Sequence, residues 1–277
     1  MGVLHIVATP IGNLEDVTLR ALRVLAEADL VLAEDTRRTR VLLQRHAVKA
    51  RPLSLHAHNE VARIERVLGV LDAGGSAALV SDAGTPLLSD PGARLVDAAL
   101  QAGHAVTPIP GPSALLAALV VAGLPAEHFT FLGFMPRRKG ARKALLASLR
   151  QRPETLVLFE SPRRLPATLR QLADALGERP ACVARELTKL HEEVARDTLG
   201  ALAERFADGT RGEVTIVVGG APEVAASPDV PADLDADIRA RLAAGETPRD
   251  VAAALSRARG LARREVYARV LALREGR

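Results

Sequence analysis

Ala77-Ala78-Leu79-Val80-Ser81-Asp82-Ala83-Gly84-Thr85-Pro86-Leu87-Leu88-Ser89-Asp90-Pro91-Gly92 is the stretch on which the fold turns. An aliphatic run, read as a strand over Ala77 to Ser81, ends in a loop of two Ser-Asp pairs, two glycines and two prolines. A helical pattern follows from Pro91 to Ala102, and a proline at its start suits a first helical turn, where no N–H is needed. A rigid loop with free amides and carboxylates at the C-terminal end of a strand is where open α/β sheets place ligands. The plainer alternative is two consecutive turns that cap the helix.

The same alternation extends outward in both directions. Val3 to Thr9, Asp29 to Ala33 and Ala105 to Ile109 read as strands, with helices over Asp16 to Glu27 and Thr36 to His46. Strands expected at Phe129 to Leu132, Thr155 to Phe159, Cys182 to Arg185 and Val214 to Val218 follow, with helices over Arg142 to Arg150 and Arg164 to Leu176. Strands alternating with helices imply a largely parallel sheet covered on both faces. The helical pattern stops near Val121-Ala122-Gly123-Leu124-Pro125, so the expected division is an N-terminal α/β domain over 1–123 and a C-terminal α/β domain over 124–221. Residues 222–232, rich in Ala and Pro, read as a linker. Residues 233–277 read as a helical, helix-turn-helix-like extension with helices at Leu234 to Leu242, Pro248 to Arg257 and Arg263 to Leu273. Thr247 is the expected cap of the second of these.

At 277 residues, 48% of them hydrophobic, the chain is long enough for two cores, and wholesale disorder is excluded. Cys182 is the single cysteine and has no internal partner, which fits a reducing, cytoplasmic compartment. No signal peptide and no apolar run of the roughly 18 to 20 residues that span a bilayer is read, so no membrane partner is expected. The net charge is +4, and all basic residues but Lys49, Lys139, Lys143 and Lys189 are arginine. Arginine forks suit phosphate and base recognition, although a GC-rich genome produces the same bias.

The first strand ends in Thr9-Pro10-Ile11-Gly12-Asn13-Leu14, with one glycine where a dinucleotide site wants three. No P-loop occurs, so the expected small molecule is a nucleoside without phosphates. The strand before Pro110-Gly111-Pro112-Ser113-Ala114 ends in small residues that let the backbone approach a flat ligand.

These loops, with Ile6 to Leu14, Glu34-Asp35-Thr36-Arg37, His58-Asn59-Glu60, Phe131-Leu132-Gly133-Phe134, Phe159-Glu160-Ser161-Pro162 and Arg185-Glu186-Leu187-Thr188-Lys189, resemble one family in order and spacing. It is the 16S ribosomal RNA (cytidine-2′-O)-methyltransferase family, a branch of the tetrapyrrole-methylase-like class. The resemblance covers about Leu4 to Gly219. Relatives that methylate tetrapyrroles carry a Gly-x-Gly-Asp-Pro loop where this chain has Ala78-Leu79-Val80-Ser81-Asp82-Ala83, which argues against a tetrapyrrole substrate.

The resemblance implies two α/β domains of the tetrapyrrole-methylase type with S-adenosylmethionine in the cleft between them, and a homodimer. It implies 2′-O-methylation of a cytidine (cytidine 1402) of 16S rRNA in the 30S ribosomal subunit. By matching positions it implies cofactor contacts from Pro10, Ile11, Gly12, Asp82, Gly84, Thr85, Ser113 and Ala114. Phe159, Ala184, Leu187, Gly212 and Glu213 are the matching positions in the second domain.

A ribose hydroxyl needs its proton removed or polarised. Glu60, Glu160, Lys189 and Glu192 are the candidates for that base, and each has an equally good structural role as a cap or solvated charge. His56, His58 and Glu60 lack the further ligands of a zinc site, so no metal is expected. Arg137, Arg138, Lys139, Arg142 and Lys143 form the best local RNA-binding patch, with Arg37, Arg38, Arg163 and Arg164 joining it around the cleft; a solvated helix entrance is the alternative. With no Trp, one Tyr and five Phe, stacking platforms are scarce. Two other functions stay open, a methyltransferase of a tetrapyrrole or other metabolite, and a non-catalytic nucleic-acid-binding regulator built on the C-terminal helices.

Overall fold

A computed structural model describes residues 1–56, 58–222 and 232–274, the side chains of 232 and 233 excepted. Five strands, β1 (Val3–Val7), β2 (Leu30–Ala33), β3 (Pro52–Ser54), β4 (Ser76–Val80) and β5 (Ala105–Ile109), pair all-parallel in the order β3-β2-β4-β1-β5. Between them run α1 (Leu19–Glu27), α2 (Thr36–Arg45), α3 (Glu60–Asp72) and α4 (Ala93–Gln101), and α5 (Ala114–Val121) follows β5. Successive strand residues point to opposite faces. Leu4, Ile6, Leu30, Leu32 and Leu79 therefore pack with Val67 and Leu71 of α3 and Leu95 of α4. Val7, Val31, Val80 and Ile109 pack on the other side with Ala21 and Leu25 of α1 and Leu43 of α2. Both faces are buried, as an all-parallel sheet requires.

The second sheet is built from β6 (Phe129–Phe134), β7 (Thr155–Glu160), β8 (Pro180–Arg185), β9 (Glu193–Thr198) and β10 (Val214–Val218), in the order β6-β7-β10-β8-β9. Only β6 and β7 are parallel; the other pairs are antiparallel. The expectation of a largely parallel sheet is thus corrected for this half. The reason is chain length: residues 186–192 are too few for the crossover that parallel neighbours need, so β9 folds straight back on β8. Helices α6 (Lys139–Ser148), α7 (Leu165–Leu176) and α8 (Leu199–Arg205) cover one face through Leu146, Leu165, Leu169, Leu172 and Leu202. Leu115 and Leu119 of α5 cover the other face, against Val157, Cys182 and Val217.

Arg179, just before β8, is 3% exposed and donates to the carbonyls of Leu149 (3.3 Å), Arg150 (2.5 Å) and Gly219 (3.5 Å). Burial lowers its pKa, but a guanidinium keeps its proton in a protein. It therefore ties the end of α6 to the end of β10 as a buried cation bound to carbonyl dipoles. Arg179→Met strands these carbonyls and is expected to cost about 2 to 4 kcal/mol, less than their sum because the buried charge is removed too. Urea unfolding would show this as a lower midpoint at constant slope, and an unchanged midpoint would mean that water replaces the guanidinium.

Contacts divide the chain into two compact units, Met1–Pro222 and Glu223–Arg277. In the second, α9 (Ala232–Ala243), α10 (Pro248–Arg259) and α11 (Arg263–Arg274) bury Leu234, Ile238, Val251, Leu255, Val266 and Val270 together. Thr247 caps α10 by accepting from the Asp250 N–H (3.3 Å), and Gly260, in the left-handed region at φ +67°, ends it. Of the expected linker 222–232, residues 223–231 lie outside the described residues and Ala232 begins α9. Among the described residues no helix is long and apolar enough to cross a membrane.

Candidate active site

The loops at the C-terminal ends of β1, β4 and β5 are fastened to one another by the backbone. Thr9 and Gly84 exchange both N–H to carbonyl bonds at 2.9 Å, and the Thr85 hydroxyl donates to the Pro112 carbonyl (3.4 Å). Beyond Gly84 the loop takes left-handed backbone at Leu87 (φ +73°) and Ser89 (φ +76°), conformations that L side chains hold only when the surroundings enforce them. A cavity of about 390 Å³ opens beside these loops. Its first-half walls are Ile11, Glu34, Arg38, Asp82, Ala83, Leu88, Ser89, Asp90 and Ala114. Phe134, Phe159, Glu160, Ser161, Pro162, Ala184, Leu187, the Gly212-Glu213 turn and the start of β10 close it from the second half.

The cavity joins an apolar wall to an acidic one. Phe159 is held edge-on by Phe131 at 5.0 Å and tilted against Phe134 at 5.8 Å between ring centres. Opposite, Asp82 accepts the Asp35 N–H (2.8 Å) and lies 3.8 Å from Arg38 Nε. The other end of Arg38 is 3.8 Å from Glu213, so one guanidinium spans both halves of the site. Burial, and next the Asp82 charge, raise the Glu34 pKa. Burial, and next the Glu34 charge, push Asp90 up to about 6.

Of the residues the resemblance implied, Ile11, Asp82, Ala114, Phe159, Ala184, Leu187, Gly212 and Glu213 meet at this cavity. Pro10 and Gly12 line an adjoining one of about 320 Å³ that shares Ile11, Arg38, Asp82 and Glu213 with it. Gly84, Thr85 and Ser113 lie outside both walls; the Ser113 hydroxyl instead caps α5 by accepting from Leu116 N–H (3.5 Å).

Gly212 has a visible reason to be glycine. Its φ is +88°, and a Cβ there would stand 2.3 Å from Cδ of Glu186, whose carboxylate accepts the Glu213 N–H (2.9 Å) and holds Lys189 (2.8 Å). Gly212→Ala is expected to cost about 2 kcal/mol from left-handed strain and displacement of that carboxylate. Thermal melting would show the loss, and an unchanged Tm would mean that the turn has room for the methyl group.

Each of the four expected bases already has partners in the structure. Buried Glu60 accepts the Arg94 N–H (2.9 Å) and Leu95 N–H (3.2 Å) and so caps α4. Glu160 lines the cavity, but its carboxylate takes the Ser161 N–H (2.7 Å) and Thr168 hydroxyl (2.6 Å) and pairs with Arg164 (3.3 Å). Glu192 accepts the Thr188 N–H (2.6 Å) and closes a turn. Burial works to lower the Lys189 pKa, but bonds to Glu186 and Glu213 outweigh it and leave it raised, so Lys189 stays a cation.

The basic residues separate too. Arg137, Arg138, Lys139 and Lys143 are exposed in the segment that follows Phe134, a wall of the cavity, and Arg163 is exposed beside Pro162. Arg142 is held by its own loop, donating to the carbonyls of Pro136 (3.3 Å) and Arg137 (3.2 Å). Arg38 is a wall of the cavity rather than part of an outer patch, and Arg37 is held by Asp35 at 2.6 Å. Glu34, Asp90 and Phe134 were given no role by the sequence, although each stands in a stretch that carried the resemblance. Among the described residues no group of three or more His, Cys, Asp or Glu could hold a metal ion.

Residues 3–203 match the family of Tetrapyrrole (Corrin/Porphyrin) Methylases. A Mesorhizobium japonicum protein named Ribosomal RNA small subunit methyltransferase I is 47% identical over 275 residues, 98% of this chain and 92% of that one. A Xylella fastidiosa protein of the same name is 50% identical over 226 residues, covering 80% and 83%. The chain belongs to the ribosomal RNA small subunit methyltransferase I family. Solved structures share the tetrapyrrole-methylase fold at lower identity. A Thermus thermophilus uroporphyrin-III C-methyltransferase complexed with S-adenyl homocysteine is 22% identical with a TM-score of 0.57, covering 78% of this chain and 97% of that one. A cobalt precorrin-4 methyltransferase is 19% identical with a TM-score of 0.61, covering 78% and 94%. This chain thus carries the fold of tetrapyrrole methylases, with Ser81-Asp82-Ala83 at its own β4 turn.

Proposed function

We propose that the protein transfers the methyl group of S-adenosylmethionine to the 2′-hydroxyl of a cytidine, cytidine 1402, in 16S rRNA of the small ribosomal subunit. The observation that carries this reading is the union in one cavity of the apolar wall Ile11, Phe159, Ala184 and Leu187 with the carboxylates Asp82, Glu34 and Asp90. Such a wall suits a nucleoside, and net negative charge suits a sulfonium and an ammonium while repelling phosphates. The sulfonium supplies an activated methyl group; the protein's share is alignment, water exclusion and management of the hydroxyl proton. In this reading 1–123 and 124–221 are two domains that both contribute to the cavity, and Asp82 receives the cofactor's donors. Pro10 and Gly12 border it, and Gly84, Thr85 and Ser113 hold the loops around it.

The exposed Arg137, Arg138, Lys139, Lys143 and Arg163 meet rRNA phosphates at the rim. A cytoplasmic homodimer belongs to the same proposal, supported by Leu116 and Val120, exposed four residues apart on α5. The test is transfer of labelled methyl from S-adenosylmethionine to 30S subunits or to a porphyrinoid precursor offered in parallel. Label in RNA alone is expected; label in the macrocycle alone would replace the reading with the small-metabolite one.

A further inference from the structure

We propose that Asp90 is the base that takes the proton of the ribose 2′-hydroxyl, and that the bound sulfonium is what charges it for that task. The inference rests on the methyl-transfer reading above and assigns the proton-accepting group within the same cavity. Six ionisable side chains line that cavity: Glu34, Arg38, Asp82, Asp90, Glu160 and Glu213. Arg38 is a cation without an acceptor. Asp82 is committed to the Asp35 N–H and faces Arg38, Glu160 is saturated by Ser161, Thr168 and Arg164, and Glu213 is paired with Lys189 at 3.1 Å and with Arg38.

Glu34 and Asp90 remain. Glu34 follows β2, with Asp82, Arg38, Asp35 and the His56 ring as its neighbours. Asp90 follows the exposed Leu88 and Ser89, which line the same cavity, at the end of the segment with left-handed backbone at Leu87 and Ser89. The charged groups facing it are Glu34 from the end of β2 and Asp82 from the β4 loop, and the nearby Ser81 hydroxyl, which donates to the Ala83 and Gly84 carbonyls, works to lower its pKa.

That setting divides the carboxyl's work into two states. Without a ligand, burial and the Glu34 and Asp82 charges hold part of the Asp90 population protonated near pH 6. A cation placed among these groups favours the carboxylate, so binding releases a proton. The step then balances. The ribose oxygen forms a bond to the methyl carbon while the carbon–sulfur bond breaks and its pair stays on sulfur as a neutral thioether. The hydroxyl proton passes to Asp90 and from there to solvent.

Calorimetric titration of the full chain at pH 6, in two buffers of different ionisation enthalpy, reads the proton release directly. Release is expected for wild type with S-adenosylmethionine, little with S-adenosylhomocysteine, which has no charge at sulfur, and none for Asp90→Asn with either. In single-turnover methylation of 30S subunits, Asp90→Asn should bind cofactor but react about 10²- to 10⁴-fold more slowly, the usual range for a lost general base. The rise of wild-type rate with pH towards 6 should vanish in that variant, and Asp90→Glu should recover part of the rate. Glu34→Gln should shift the rise to lower pH by removing a like charge. Proton release that persists in Asp90→Asn, or a wild-type rate and pH rise in it, overturns the assignment; loss of both in Glu34→Gln instead moves the base to Glu34. Wild type that binds S-adenosylmethionine but methylates no 30S RNA refutes the functional reading itself, a result separate from any of these.

Discussion

Asp82→Asn leaves the fold intact and weakens S-adenosylmethionine binding by about 100-fold or more. The asparagine carbonyl can still accept the Asp35 N–H, the 2.8 Å bond that shapes the loop, so the backbone keeps its place. What disappears is a partly buried negative charge facing the ligand cavity. Hydrogen bonds to a charged acceptor contribute about 1.5 to 3 kcal/mol, and roughly 2.7 kcal/mol corresponds to a hundredfold in Kd. Arg38, which keeps Glu213 but loses the Asp82 charge, is less well neutralised beside a cationic ligand and enlarges the loss. Titration calorimetry with a parallel melting curve reads both terms; unchanged affinity in a folded variant would remove Asp82 from the cofactor site.

The second large effect is expected at the rim. Replacing Arg137, Arg138 and Lys139 with alanine should flatten the dependence of log affinity for 30S particles on log salt by about 2 to 3, at about 0.7 to 0.9 for each phosphate no longer neutralised. Extrapolated to about 0.1 M salt, a slope change of that size corresponds to an affinity decrease on the order of 100-fold. Arg142 is left in place because its bonds to the Pro136 and Arg137 carbonyls shape the loop. S-adenosylmethionine affinity should not change, since none of the three side chains lines the cavity. Equal salt slopes for variant and wild type would show the patch to be a solvated surface.

The first sheet was legible because β2 and β4 are runs of buried aliphatics and the strands β1, β4 and β5 each lead into a loop of unusual composition. Its short edge strand β3 was not, since it is three residues beginning with proline and buries only Pro52 well. The second sheet hid β9 for a related reason. Glu193-Val194-Ala195-Arg196-Asp197-Thr198 is an edge strand whose charges make ion pairs, Glu193 with Arg185 at 2.5 Å among them, and only Ala195 is buried. Helix α3 escaped because Asn59 and Glu60 drew attention as a motif, whereas Glu60 is buried because it caps α4 from a distance of 34 residues in sequence.

At the site, loop composition pointed to ligand walls but could not tell a carboxylate with partners from one without. Glu160 and Asp90 look alike in the chain. Packing alone separates them, by placing Thr168 and Arg164 around the first and Glu34 and Asp82 around the second.

The chemical form of the product decides whether this cavity methylates a ribose. Small subunits lacking the modification, incubated with the full chain and methyl-labelled S-adenosylmethionine, should be digested to nucleosides and analysed by mass spectrometry. The expected result is one labelled species, 2′-O-methylcytidine, whose mass shift stays with the ribose on fragmentation. Label on the cytosine base, on another nucleoside, or absent from RNA altogether would contradict it.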